Sequence, residues 1–229
     1  MEDMPKTLIV LLLVFLTSSC GTQNETTRSP SPPPSSNGEP IILVHGVAGW
    51  DRGEIPGYYY WGGSVDLQSE LRDEGFGVFT APIGPFSSNW DRACELFAYI
   101  KGGTVDYGEA HSEKFGHARF GATFRGAHPS WGPEARVHLI AHSMGGQTSR
   151  LLAHLLRNGD STEIESSPDD VSMLFKAGGP WIKSITTLSA PHDGTTMVED
   201  LNIMEALLGA AVSALAAIVE IELFPDIDL

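Results

Sequence analysis

Cysteine is almost missing from this chain: Cys20 and Cys94 are the two among 229 residues. Cys20 falls at the edge of an apparent export segment, so no disulfide framework holds the fold. Stability must come from a packed core. Cys94 lies in a helical pattern and reads as a small buried apolar residue. Basic residues are scarce too, 14 against 29 acidic ones, for a net charge of −15. That balance excludes nucleic acid as a partner and argues against electrostatic docking on anionic lipid. No uninterrupted apolar run reaches the ~20 residues that span a bilayer, and there are no internal repeats. The length suits one domain with a sizeable core.

The amino-terminal segment 1–20 reads as a signal peptide. Leu8 to Leu16 is a continuous apolar run of h-region length, followed by Thr17-Ser18-Ser19-Cys20. Two readings of its end stay open. Either Cys20 becomes a lipidated first residue, a lipid anchor of lipoprotein type, or a plain signal is cut nearby. Residues 21–38 are rich in Ser, Thr and Pro, cannot bury apolar surface, and are expected to be a disordered linker. The domain proper is expected over 39–229.

From Pro40 onward strand and helix patterns alternate. Strands are expected at Ile41–Val44, Phe76–Thr80, Val137–Ile140 and Ile185–Leu188. Helices are expected over Val65–Leu71, over Trp90–Ile100 with Ser87 or Ser88 as cap, and over Gln147–Arg157 with Asn158-Gly159 as stop. Such alternation predicts an α/β fold, a parallel sheet covered on both faces. Ligands of such sheets bind beyond the carboxyl ends of the strands. Residues 101–134, rich in Gly and His, break the alternation and read as an insertion.

The segment Ala141-His142-Ser143-Met144-Gly145-Gly146 carries the chemistry. It has the form G-x-S-x-G with alanine in the first place, the strand–turn–helix elbow that exposes a nucleophilic serine. Small residues at Ala141 and Gly145 let strand and helix close around it. Attack on an acyl carbon builds charge on the carbonyl oxygen, which backbone amides must receive. The amide after the serine, Met144, is one candidate. Val47, just past His45-Gly46, is the other. His45 is expected to pack or hydrogen-bond, His138 to lie in the core, and His142 to leave the far side of its strand. His192, beside Asp193, reads as structural. In this fold the triad runs Ser, then acid, then histidine, on later strands; no such acid and histidine are found here. Asp91, His111 and His117 form a candidate metal set, with His111 and His117 at zinc-like spacing. Surface histidines in a loop are the alternative at this point.

Six segments together carry a resemblance: His45-Gly46, Tyr60-Trp61-Gly62-Gly63, Ser87-Ser88-Asn89-Trp90-Asp91-Arg92-Ala93-Cys94-Glu95, Gly102-Gly103-Thr104-Val105-Asp106-Tyr107-Gly108, Gly116-His117-Ala118-Arg119-Phe120-Gly121 and Pro191-His192-Asp193-Gly194-Thr195-Thr196. From about Pro40 to Thr196 the chain resembles the thermoalkalophilic bacterial lipases of the Bacillus/Geobacillus type (family I.5) and the related staphylococcal lipases. The resemblance implies an α/β-hydrolase fold and hydrolysis of carboxylesters, chiefly triacylglycerols, at an oil–water interface, with Ser143 as nucleophile. It also implies a structural zinc held by two aspartates and two histidines, three of which match Asp91, His111 and His117. Leu201–Leu223 matches the lid helix, an ordinary core helix being the alternative. Pro225 to Leu229 resembles the approach to the fourth zinc ligand. A calcium site, the catalytic acid and the catalytic histidine would lie beyond Leu229, so the resemblance implies a chain truncated before its last strands and weak or absent activity in isolation. Two further readings stand beside the lipase: a non-catalytic fragment or pseudoenzyme that binds lipid or zinc, and an α/β-hydrolase for another ester or amide.

Overall fold

The structure is a computed structural model and describes residues 38–195. The expected signal peptide, Cys20, nearly all of the linker, the lid-like segment 201–223 and the tail lie outside the described residues.

Four parallel strands form the main sheet: β1 (Ile41–Val44), β2 (Val78–Thr80), β5 (Val137–His142) and β6 (Ile182–Leu188), in the order β2-β1-β5-β6. A separate antiparallel pair joins β3 (Gly103–Asp106) to β4 (Phe120–Phe124). The helices are α1 (Leu67–Asp73), α2 (Asn89–Lys101), α3 (Glu109–Phe115), α4 (Gly145–Asn158) and α5 (Ser161–Ser166). The chain leaves β1 toward β2, then returns past β1 to build β5 on its other side. This reversal makes the carboxyl ends of β1 and β5 the switch point where a crevice opens. The loop from His45 and the turn at Ser143 leave the sheet there.

Local chemistry sets the helix ends. Asp66 caps α1 by accepting Ser69 N–H, which starts that helix two residues later than the apolar pattern suggests. Ser88 caps α2 through Asp91 N–H, and Gly102, at φ 91°, ends it. The β1 residues Ile42 and Val44 and the β5 residues Val137, Leu139 and Ala141 are fully buried against Ala93, Leu96, Phe97 and Ile100 of α2 and Leu152, Leu155 and Leu156 of α4. Each large apolar side chain so removed from water contributes roughly 1.5–3 kcal/mol. Cys94 is buried as expected, and burial pushes its thiol pKa up.

Two expectations change. His138 is not core. It faces outward from β5, with Nδ1 2.7 Å from Ser184 Oγ and Nε2 3.3 Å from Glu39 Oε2. Alternation along β5 gives the core to Val137, Leu139 and Ala141 and turns His138 to the other face. Within 101–134, the hairpin and α3 stand beside the sheet, but Trp131 belongs to the main core. It is fully buried edge-on against Trp181 and donates Nε1–H to Trp181 O at 2.8 Å.

Candidate active site

Ser143 sits between the end of β5 and the start of α4 with φ 54°, in the left-handed region. A non-glycine residue is strained there, by roughly 1–3 kcal/mol, and persists because its surroundings hold it. Its own N–H donates to Leu188 O at 2.9 Å, and Gly146 N–H bonds back to Ser143 O at 3.0 Å. The side chain is half-buried at the crevice. Gly46 packs directly against it: a Cβ on Gly46 would stand 2.8 Å from Ser143 Cβ and 3.2 Å from Ser143 Oγ. Only glycine lets the β1 loop come this close. Gly145 plays the same part below, where a Cβ would lie 2.5 Å from Val44 O.

The loop 45–49 is tied down at several of its polar atoms. Gly46 N–H donates to Tyr60 Oη at 3.0 Å, Ala48 N–H to Pro85 O at 2.9 Å, and Gly49 N–H to Gly46 O at 3.3 Å. Both ring nitrogens of His45 face carbonyls, Gly46 O at 2.8 Å and Ile83 O at 3.0 Å. Burial pulls its pKa down to about 4, so at neutral pH the ring carries one proton and donates once. Among the described residues, the N–H groups of Val47 and Met144 have no acceptor. They are the two amides the sequence points to. Val47 is 37% exposed, so this residue of the loop lies at the surface and not inside the core.

The remaining histidines do not reach Ser143. His142 Nδ1 meets Tyr60 Oη at 2.5 Å. His192 lies between Thr187 Oγ1, at 3.0 Å, and Arg150 Nη1, at 3.2 Å, a polar loop contact. His154, which sequence reasoning passes over, is exposed on α4 beside Asn158. Among the described residues no side chain hydrogen-bonds the Ser143 hydroxyl. Sequence reasoning also assigned no role to Tyr60, Arg92 or Thr148, although the first two lie inside the segments it singled out. The one available signal was a charged Arg92 in the apolar register of α2, beside Ala93 and Leu96.

Asp91, His111 and His117 come together. One ligand atom from each lies within 4.8 Å of the others. Asp91 Oδ1 stands 3.0 Å from His111 Nε2 and 3.8 Å from His117 Nε2, spacings that bracket those of tetrahedral ligands around zinc. Ser88 Oγ takes the other oxygen, Oδ2, at 2.9 Å and so turns Oδ1 toward the imidazoles. Trp90 stacks on His111 at 5.0 Å. Glu163 accepts His111 N–H at 2.8 Å and Ala110 N–H at 3.1 Å, which fixes the start of α3. Burial lowers the His111 pKa and favours the neutral ring that a metal requires. The donor set fits a divalent cation.

Comparison with known proteins follows the same lines. Residues 37–219 match the family described as "Lipase-like, C-terminal domain". Lipase 1 of Staphylococcus aureus is 47% identical over 179 residues, covering 75% of this chain and 26% of the relative. Lipase 1 from Pelosinus fermentans superposes with a TM-score of 0.74 at 50% identity, over 79% of this chain and 50% of that one. The Staphylococcus hyicus lipase gives 0.69 at 41% identity, over 80% and 50%. The chain thus spans about a quarter of the length of the curated relatives it matches and half of those two solved chains.

Proposed function

The chain belongs to the lipase-like C-terminal domain family, and on that premise we propose that it carries the nucleophile and the oxyanion site of a serine hydrolase acting on lipid esters. The observation that carries this reading is the junction of Gly46 and Ser143. A strained serine stands against a glycine, and the next residue, Val47, has an uncommitted amide, as does Met144. In the reaction Ser143 Oγ attacks the acyl carbon and gives its proton to a base. Val47 and Met144 N–H receive the oxyanion. Loss of one such donor typically costs about 10²–10³ in rate. The tetrahedral adduct then expels the alcohol, which takes the proton back, and water repeats the cycle on the acyl-enzyme. The base and its acid enter this proposal as groups supplied from beyond residues 38–195.

The triacylglycerol preference, the Bacillus/Geobacillus-type subfamily and export belong to the same proposal. So does zinc at Asp91, His111 and His117. Zinc there would bind neutral imidazoles and a carboxylate and brace α2 against α3, away from the ester chemistry.

The test is hydrolysis of tributyrin by the protein isolated from its source, with labelling of Ser143 by a fluorophosphonate. Turnover and label that both vanish in Ser143→Ala support the proposal. Turnover that survives Ser143→Ala removes the nucleophile. No turnover and no label favour a non-catalytic relative that binds lipid or metal.

A further inference from the structure

Arg92 is fully buried in α2. No carboxylate pairs with it among the described residues; its bonds go to neutral oxygens. Nη2 donates to His45 O at 2.5 Å, Nη1 to Gly84 O at 2.5 Å, and Nε to Thr148 Oγ1 at 3.1 Å. The charge of nearby Glu95 eases this burial, and the acceptors its donors find ease it further, since a buried guanidinium is costly when its N–H groups go unpaired. Burial pulls its pKa down to about 10, which still leaves it charged at neutral pH. The acceptors it has found are the backbone and side-chain atoms next to the oxyanion site.

We propose that Arg92 is a positioning residue for that site, a single buried guanidinium that fixes the backbone carrying both amide donors, Val47 and Met144. This rests on the serine-hydrolase reading above.

The geometry runs as follows. The His45–Gly46 peptide is pinned at both ends, its oxygen by Arg92 and its N–H by Tyr60 Oη at 3.0 Å. With that plane set, the next peptide places Gly46 O toward His45 Nδ1 and Gly49 N–H. Its opposite end, Val47 N–H, is then turned away from them, because the two ends of a trans peptide point in opposite directions. Arg92 also holds Gly84 O, and Glu95 holds Gly84 N–H at 2.6 Å. The following residue, Pro85, accepts Ala48 N–H, so the far side of Val47 is anchored through the same guanidinium. On the other arm, Thr148 Oγ1 accepts from Nε and donates its one proton to Asn89 Oδ1 at 2.8 Å, with Met144 O the alternative acceptor at 3.2 Å, while Thr148 N–H bonds Met144 O at 3.1 Å. Helix α4 is thereby held by its first turn, where Met144 N–H projects.

The experiment compares wild type with Arg92→Lys, Arg92→Met and Thr148→Val in the full-length protein. It measures kcat and KM on a soluble butyrate ester, and amide hydrogen exchange resolved to 45–49. The proposal expects kcat to fall about 10²-fold in Arg92→Met and about tenfold in Arg92→Lys, which keeps the charge but loses the fork, with KM within about threefold. Exchange in 45–49 is expected to quicken about tenfold while β5 keeps its protection. Unchanged kcat and exchange in Arg92→Lys overturn it. So does a uniform loss of protection across the domain, which would mark Arg92 as merely structural. If Arg92→Met does not fold, Arg92→Lys and Thr148→Val decide. If the wild type shows no Ser143-dependent turnover, the functional reading fails, and the exchange measurement alone upholds or overturns the clamp.

Discussion

At the scale of single residues, strain and burial mark the site. Of four non-glycine residues with positive φ among those described, Ser143 and Ala48 flank the crevice. Relaxing Ser143 should therefore separate stability from chemistry. Ser143→Gly is expected to raise the unfolding free energy by on the order of 1 kcal/mol, since glycine adopts that conformation without the Cβ penalty. Ser143→Ala should leave it within about 0.5 kcal/mol. Paired urea titrations check this, and equal stabilities for the two variants would contradict the strain. His45 gives a pH dependence. Its pKa falls from 6.5 in the unfolded chain to about 4 in the folded one, chiefly through burial. Between those values the unfolded chain binds a proton that the folded chain refuses. Stability therefore rises with pH across the window, and acidification from 6.5 to 4 costs about 3 kcal/mol. Denaturation series at stepped pH should show this slope in the wild type and a shallower one in His45→Asn.

At the scale of elements, close contact between α4 and β1 decides the elbow. A Cβ at Gly145 would meet Val44 O at 2.5 Å and His45 O at 2.7 Å, both backbone atoms that cannot swing aside. Gly145→Ala is expected to destabilise by about 1–3 kcal/mol, the usual range for overpacking, as a lower midpoint of thermal unfolding would show. The candidate metal cluster joins α2 to α3 and to His117, two residues past the end of α3. Metal analysis of the purified protein should find about one zinc per chain, lost in His111→Ala and His117→Ala. Chelation of the wild type should lower its melting temperature, because a ligand bound to the folded state alone stabilises it. Equal metal content in all three proteins would falsify the site. Much at this scale was readable beforehand. The apolar runs, Ser88 and Gly159 gave α2, α4 and the four strands of the main sheet to within a few residues, whereas β3 and β4, inside the 101–134 insertion, were not read. Asp66 shifted α1, because a cap acts through one hydrogen bond that periodicity does not register. The outward face of His138 was missed because an apolar neighbourhood in sequence does not say which side of the sheet is filled.

At the scale of the molecule, the parallel sheet and its reversal at β1 and β5 bring segments about a hundred residues apart to one crevice. Among the described residues no helix is long and apolar enough to cross a membrane. The net charge of −15 sets a global repulsion. Raising salt from about 10 mM to about 150 mM shortens the Debye length from ~30 to ~8 Å. It is expected to raise the melting temperature of metal-loaded protein modestly, as self-repulsion in the compact state is screened. A melting temperature that falls over that range would show that local ion pairs, such as Arg119 with Asp106 and Glu109, outweigh the overall charge.

The linear order of residues was enough to single out Ser143, the Val47 and Met144 amides and the Asp91, His111 and His117 set as candidates, because each depends on a short pattern: an elbow, a histidine–glycine turn, a histidine spacing. The α/β class followed from alternation for the same reason. What the chain order could not yield was the clamp around the site. Arg92, Tyr60 and Thr148 owe their roles to carbonyls and amides brought beside them from β1, the 84–85 segment and α4. Those meetings exist only after the sheet has closed, since a hydrogen bond to backbone leaves no signature in the identity of the residue that supplies it.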